Sequence, residues 1–275
     1  MLNGKPSGIF QPRQFAVETL AELGAKDVLI EYLLQTRKVD DPVARFGEDA
    51  VLSTAARELA RWTTEDVHGA LKKSSNDRLL PGIVESLGVF ARKDSIPYFL
   101  WALDDGICRQ AAEDALREIG ESARAFLLEA AGSPNPPAED EIPSSLQRRR
   151  STLRILGELL MPSSDWAELR PLLNEKDAEI VVSTVRMAMK ICPPHDRELA
   201  IQRLIEALPT ADSFVRTEAR TCLAENFSFA RPQVETEIAR RRKASRKEQA
   251  VDVVLRVLVN LEWEMEGHGQ GGNEK

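Results

Sequence analysis

Apolar residues recur along the chain at the three- and four-residue spacing of amphipathic α-helices, and no stretch sustains the alternation expected of a β-strand. Aromatic residues make up only 5% of the sequence, whereas Leu, Ala, Glu and Arg are frequent, which also favours helices. The apolar runs predict two interleaved series of helices. The first series comprises 26–37, 64–73, 95–103, 122–131, 164–174, 196–208 and 231–244, and the second comprises 12–23, 43–61, 78–92, 106–119, 145–161, 178–191, 213–227 and 247–264.

The ends of the second-series helices recur at a regular interval. Gly24, Gly88 and Gly120 each follow an apolar residue at such an end and are predicted to close a helix in the left-handed conformation. At Gly157 the apolar pattern continues, which places this glycine inside a helix. Successive ends lie 28 to 37 residues apart, the period of a repeat of two antiparallel helices. The equivalent positions are Gly24, Ala60, Gly88, Gly120, Gly157, Cys192, Asn226 and Leu261.

Several second-series helices open with the same motif, an Asp followed four residues later by an Arg. An Asp directly before a helix accepts hydrogen bonds from the first free backbone N–H groups and favours the positive end of the helix dipole. We therefore predict that these aspartates cap their helices. The motif occurs at Asp41–Arg45, Asp105–Arg109 and Asp212–Arg216, with a copy at Asp177 that lacks the Arg and a weak match at Asp77.

With this period and these helix ends, residues 12–264 resemble the HEAT-repeat family, including its short variants of the phycobilin-lyase type. The closest match is the segment from Asp105 to Gly120, with Ala112 and Ala115 on its apolar face. The resemblance implies an all-α fold, a right-handed α-solenoid of about seven or eight antiparallel helix pairs. It also implies a structural ladder in which the Arg of one repeat bonds to the Asp of a neighbour, formed by Asp41, Arg45, Asp105, Arg109, Asp212 and Arg216.

Three segments fall outside the helical pattern. Prolines and consecutive acids at 133–145 predict a long loop within one repeat. Residues 1–11 and 267–275 are predicted to be disordered tails on either side of a solenoid over 12–266. No apolar run reaches the roughly 18 residues that a membrane helix needs, and the start of the chain lacks the features of a signal peptide, so a cytoplasmic location is expected.

Charge is distributed unevenly along the chain. The net charge of −7 belongs to residues 1–140, because residues 141–275 carry equal numbers of acids and bases. On the second-series helices, which line the concave face in HEAT-type stacks, this gives a hypothesis of a groove acidic at one end and basic at the other; unrelated solvated charges are the alternative. The candidate binding residues are Arg149, Arg150, Arg154, Arg186, Lys190, Arg220, Glu58, Glu85, Asp114 and Glu118.

The residues that carry most chemistry are few and scattered. Three histidines lie in different repeats or in the tail, and three distant cysteines have neither metal-site nor disulfide spacing, so no catalytic group, metal or cofactor is expected. The cysteines are predicted to be small core residues. A basic run at 240–247 is flanked by acids and lacks interleaved aromatic residues, which argues against nucleic acid as the partner.

The last predicted helix is apolar around most of its circumference. Either a second copy of the chain covers it, through a homodimer contact over 248–264, or its own helix pair does. Taken together, the sequence predicts a non-enzymatic scaffold or adaptor that binds a protein or peptide on the concave face of the solenoid. A phycobilin-lyase-like protein and a nucleic-acid-binding HEAT protein are the alternatives.

Overall fold

The structure is a computed structural model that describes residues 2, 5–35, 37–76, 78–136, 141–244 and 246–270. Asp77, part of the predicted loop and the last five residues of the predicted C-terminal tail lie outside this description, as does the His268 side chain. The described residues form helices joined by turns and irregular loops, and no strand occurs among them, which confirms the all-α class. Within the same residues, no helix is long and apolar enough to cross a membrane.

The helices follow the two predicted series closely. Short 3-10 turns precede or follow α6, α8 and α10, at Lys93–Ser95, Gly120–Ala123, Ser163–Asp165 and Arg170–Asn174. The α-helices are α1 Gln11–Glu22, α2 Lys26–Leu34, α3 Pro42–Leu59, α4 Glu65–Ser75, α5 Pro81–Phe90, α6 Ile96–Ala102, α7 Arg109–Ile119, α8 Arg124–Ala131, α9 Pro143–Glu158, α10 Trp166–Leu169, α11 Ala178–Ile191, α12 Pro194–Ala207, α13 Ser213–Glu225, α14 Phe227–Arg241, α15 Arg246–Val251 and α16 Val253–Gln270.

The chain divides into two compact units, an N-terminal unit (Met1–Ile155) and a C-terminal unit (Leu156–Lys275). In each unit the helices contact their neighbours in chain order. In the N-terminal unit α1, α3, α5 and α7 pack successively against one another, while α2 packs on α4 and α6 on α8. In the C-terminal unit α11 packs on α13, α12 on α14, and both α13 and α14 pack on α16.

The buried face of each helix is the apolar stripe read from the sequence. On α3, for example, Val51, Leu52, Ala55 and Leu59 are all buried, and each large side chain removed from water stabilises the fold by about 1.5–3 kcal/mol. Cys108, Cys192 and Cys222 are buried as predicted.

The backbones of α3 and α5 approach closely at Gly82. A Cβ added at Gly82 would lie 2.1 Å from the Ser53 carbonyl oxygen and 2.5 Å from the Ser53 Cα, so that only glycine fits at this crossing. Residues 7–10, part of the predicted N-terminal tail, also lie against α3. A Cβ added at Gly47 would lie 2.3 Å from the Ser7 carbonyl oxygen, and the rings of Phe10 and Phe46 meet edge to face.

The predicted caps at helix starts are confirmed at three of four positions. Asp41 accepts a hydrogen bond from the Ala44 N–H at 2.7 Å, Asp177 from Ile180 at 3.1 Å and Asp212 from Val215 at 2.8 Å. These bonds satisfy backbone donors that the first turn of a helix cannot satisfy itself. Asp105 instead accepts from the N–H groups of Ile107 and Cys108, which precede α7, so it stabilises the turn before the helix.

The glycine caps are confirmed at two of three positions. Gly24 and Gly120 have φ angles of 73° and 63°, in the region that favours glycine. The prediction for Gly88 is wrong, because α5 continues to Phe90 and Ala91 adopts the left-handed conformation instead. At Gly88 a Cβ would lie 3.2 Å from that of Ala115, so this glycine serves the contact between α5 and α7.

The arginines of the Asp–Arg motif are not arranged as the predicted ladder between repeats. Arg45 donates to the Val39 carbonyl and Arg109 to the Leu103 carbonyl, each six residues earlier in the chain. Arg216 donates to the Ala211 carbonyl, five residues earlier. Each arginine therefore closes the loop that leads into its own helix. Among the described residues, none of these three arginines forms a hydrogen bond with an Asp of a neighbouring helix pair.

Two predicted helices are interrupted. Over 164–174 the chain forms the short α10 between two 3-10 turns, and the Trp166 indole N–H and the Arg170 guanidinium both hold Asp196 of α12, at 2.7 and 3.2 Å. Over 247–264 the chain breaks between α15 and α16, because Asp252 accepts a hydrogen bond from the Leu255 N–H and so begins a new helix.

Candidate binding sites

Arg149, predicted to line a binding surface, is buried instead. Its side chain is 1% exposed, and it donates to the Ala131 carbonyl and to the Glu141 carboxylate, each at 2.8 Å. Ser145, also buried, donates to the other oxygen of Glu141. Arg149 therefore fastens the connection between α8 and α9, and its prediction as a binding residue is wrong.

Four of the other nine predicted binding residues form ion pairs with the neighbouring second-series helix. Glu85 of α5 accepts from Arg57 of α3 at 3.1 Å, and Arg154 of α9 donates to Glu113 of α7 at 3.2 Å. The remaining pairs are Arg186–Glu218, from α11 to α13, and Arg220–Glu264, from α13 to α16. Ion pairs at a protein surface contribute about 0–1 kcal/mol each, and the two charges within a pair neutralise each other.

Two of the remaining candidates pair with a residue three positions later in the chain. Glu58 pairs with Arg61 at 2.9 Å and Asp114 with Arg117 at 3.2 Å. Glu118 and Lys190 are exposed, and Arg150 is half-buried. Arg149, Arg150 and Arg154 belong to the N-terminal unit, whereas Arg186, Lys190 and Arg220 belong to the C-terminal unit, so the basic stripe that would join them stays a prediction.

A groove of about 580 Å³ lies between α12 and α14 in the C-terminal unit. We call it the α12–α14 groove. Its apolar part consists of Ile205 together with Pro209 and Pro232, and its volume lies in the range of binding pockets, about 300–1,000 Å³. Polar side chains from both helices make up the rest: Glu198, Gln202, Glu206, Gln233, Thr236, Glu237, Arg240 and Arg241.

The charges of the α12–α14 groove differ between its two walls. On α14, Arg240 and Arg241 both donate to Glu237, at 2.6 Å, and these hydrogen bonds, Arg240 first, lower the pKa of the carboxyl group. On α12, Glu198 is exposed and has no ion-pair partner among the described residues. Glu206 accepts hydrogen bonds from Gln202 and Arg203 of the same helix. The α12 wall is therefore the anionic one.

A second opening, of about 420 Å³, lies in the N-terminal unit between the loops that precede α3 and α5. We call it the cationic cleft. Four cations line it, Arg37, Lys38, Arg45 and Arg78, with the acids Asp40, Glu48 and Asp49 and the backbone of Val39, Leu79 and Leu80.

The floor of the cationic cleft is a buried polar network. Arg13 of α1 forms an ion pair with Glu48 at 2.7 Å, and its Nη2 donates to the Tyr32 hydroxyl at 2.6 Å, which in turn donates to Glu48 at 3.0 Å. The Arg37 guanidinium stacks over the Tyr32 ring, 4.7 Å from its centre. Burial, and then the charge of Glu48, raise the pKa of Tyr32 well above its usual value. The tyrosine therefore stays a neutral donor.

The remaining features singled out from the sequence are the histidines and the last helix, α16. His68 is buried against Phe90 with its Nε2 3.7 Å from Asp94, and burial lowers its pKa, whereas His195 is exposed. On α16, the apolar side chains of Val254, Leu255, Leu258 and Leu261 are buried within the helix's own unit. Trp263 is 75% exposed.

Sequence reasoning missed both openings. Pro232, inside a predicted helix, was the available signal for the α12–α14 groove, because a proline cannot donate to the preceding turn. For the cationic cleft the signal was a cluster of basic residues at two inter-helix loops, 37–45 and 78. Comparisons of the chain with family models, with curated proteins and with solved structures found no match.

Proposed function

We propose that the protein is a HEAT-like α-solenoid that acts by binding an extended segment of a partner protein, without catalysis. The successive packing of α1, α3, α5 and α7 in the N-terminal unit, and of α11 on α13 and α12 on α14 in the C-terminal unit, supports the solenoid. Small-angle X-ray scattering tests this part. A compact chain of 275 residues has a radius of gyration of about 19 Å, and a solenoid should exceed this value clearly. A value near 19 Å would contradict the solenoid.

The α12–α14 groove is the observation that carries the binding function. It lies between two helices, contains an apolar patch of Ile205, Pro209 and Pro232 and presents polar groups from both helices. Two of its acids, Glu206 and Glu237, already accept hydrogen bonds from neighbouring arginines, which leaves Glu198 as the acid without an ion-pair partner among the described residues. The proposed site thus lies on the first-series helices rather than on the second-series face expected from the sequence.

The charges of the groove indicate the chemistry of the segment. An aliphatic side chain would occupy the floor formed by Ile205, Pro209 and Pro232, and a lysine or arginine beside it would face Glu198 on the anionic wall. Burying the aliphatic group supplies affinity, and the charge contact supplies orientation. The proposed ligand is therefore an extended peptide with a basic residue next to an aliphatic one.

A displayed library of unstructured peptides, selected against the full chain, tests the proposal. We expect enrichment of aliphatic–basic pairs and at least tenfold weaker binding to two variants of exposed residues, Gln202→Trp, which fills the groove, and Glu198→Lys, which inverts its charge. Glu168→Lys makes the same charge change elsewhere in the C-terminal unit and should bind as the wild type does. Selected peptides that bind Gln202→Trp unchanged, or no enrichment at all, would overturn the proposal.

A further inference from the structure

The cationic cleft has a charge arrangement that the proposed function does not use. The N-terminal unit belongs to the acidic part of the chain, yet one opening gathers Arg37, Lys38, Arg45 and Arg78. An isolated cluster of like charges repels itself unless something compensates it.

The acid at the floor is already neutralised. Glu48 is 2% exposed and is held by Arg13 at 2.7 Å and by Arg37 at 3.6 Å, and it also accepts from Tyr32. Two guanidinium groups thus share one buried carboxylate. Glu48 consequently cannot neutralise the remaining cations of the cleft.

Two cations of the cleft have no partner within the part of the chain that the structure describes. Arg78 is half-buried and Lys38 is exposed, and neither makes an ion pair or a side-chain hydrogen bond to another described residue. Arg45 beside them is oriented by two hydrogen bonds to the Val39 carbonyl, at 3.0 and 3.1 Å. The guanidinium of Arg45 is thereby fixed before any ligand arrives.

The remaining acid near these cations, Asp49, forms no ion pair with Arg45 or Arg78 among the described residues. Burial raises the pKa of Asp49, although the charges of Arg78 and Arg45 act in the opposite direction. The Asp49 carboxylate thus acts on the two arginines only from beyond ion-pair distance and leaves their donors open to a ligand. Asp40, the other acid of the lining, is exposed at the rim.

We propose that the cationic cleft binds a phosphate monoester. Guanidinium groups donate in a planar fork that matches phosphate oxygens, and a phosphate offers three terminal oxygens to three separate cations, Arg45, Arg78 and Lys38. A carboxylate has only two oxygens and one charge, and it would leave one of these cations unpaired. The site lies in the N-terminal unit and does not depend on the α12–α14 groove.

Titration of the 15N-labelled full chain with inorganic phosphate, at constant ionic strength, tests the proposal by amide chemical shifts. We expect saturable shifts centred on residues 37–45 and 78–80. Arg78→Gln should weaken binding about tenfold, because it removes one charge-assisted contact. Asp49→Asn should tighten binding severalfold, since it removes the acid that competes for Arg45 and Arg78. Lys93→Gln, an exposed cation elsewhere in the same unit, should leave binding unchanged.

Two further ligands separate the sources of the phosphate group. Tighter binding of a phosphoserine peptide than of free O-phosphoserine would assign the cleft to a phosphorylated protein, and equal binding to a small phosphorylated molecule. Shifts scattered over the surface, equal affinity for acetate, or affinities that Arg78→Gln and Asp49→Asn leave unchanged would each overturn the proposal.

Discussion

Replacing Arg149 tests the reassignment of this residue from a binding surface to the interior. Arg149→Met keeps the length of the side chain but leaves the Ala131 carbonyl without this donor and Glu141 without its cation. Removing one partner of a buried ion pair costs about 3–5 kcal/mol. Because Glu141 retains 11% exposure and its bond from Ser145, the lower end of this range applies. We expect a loss of about 3 kcal/mol, or about 150-fold in the unfolding equilibrium.

Urea unfolding followed by circular dichroism measures the loss, and hydrogen exchange of α8 and α9 assigns it to the N-terminal unit. The neighbouring Arg150→Met is the matched control, and its half-buried position limits the expected loss to about 1 kcal/mol. Adding Glu141→Gln to Arg149→Met should recover part of the loss, since the unpaired charge disappears. Equal losses for Arg149→Met and Arg150→Met, or a further loss on adding Glu141→Gln, would refute the reasoning.

Asp212→Ala should lower the free energy of unfolding by about 1 kcal/mol because the carboxylate caps α13, and Asp212→Asn should keep most of it; urea unfolding in which both variants lose equally would contradict the cap. Burial raises the pKa of Cys108 to about 12 and of Cys222 to about 11, so neither thiol should react with a disulfide reagent at pH 8 before the chain unfolds; fast reaction of the folded protein would contradict their burial. Their contribution to stability is complete below the unfolded pKa of about 8.5 and is lost as the pH rises through these folded values. Burial lowers the pKa of His68, so its contribution is present above about pH 6.5 and is lost as the pH falls below; the urea midpoint of His68→Gln should change less between pH 7 and 5.5 than that of the wild type, and an equal change would count against this placement. If α16 forms the predicted homodimer, Trp263→Glu should convert dimers to monomers in light scattering, whereas a wild-type chain that is monomeric at every concentration would exclude it.

Local signals were sufficient to predict most helices. An aspartate before an apolar run satisfies the first N–H groups of a helix whatever surrounds it, so Asp41, Asp177 and Asp212 were predictable as caps. The same local chemistry operates at Asp252, where it begins a new helix inside a run that looked continuous. Periodicity alone does not distinguish the two outcomes.

Tertiary contacts between distant residues were beyond such signals. Arg149 stands in a run of three arginines, and its burial depends on Glu141 and the Ala131 carbonyl, which the helix pattern does not bring into view. Arg13 and Glu48, 35 positions apart, form a direct ion pair, and the Tyr32 hydroxyl forms a hydrogen bond with each of them. Gly88 was predictable as special but not in its role, because a cap and a helix contact both favour the smallest residue.

The crossing at Gly82 has a use in tracing distant relatives. Backbone atoms of Ser53 occupy the space that a side chain at position 82 would need. The glycine should therefore be retained even in relatives in which the rest of α3 and α5 has changed. A glycine at the second position of one helix, facing a small residue in the second helix before it, is therefore a signature to look for in chains whose overall sequence similarity is low.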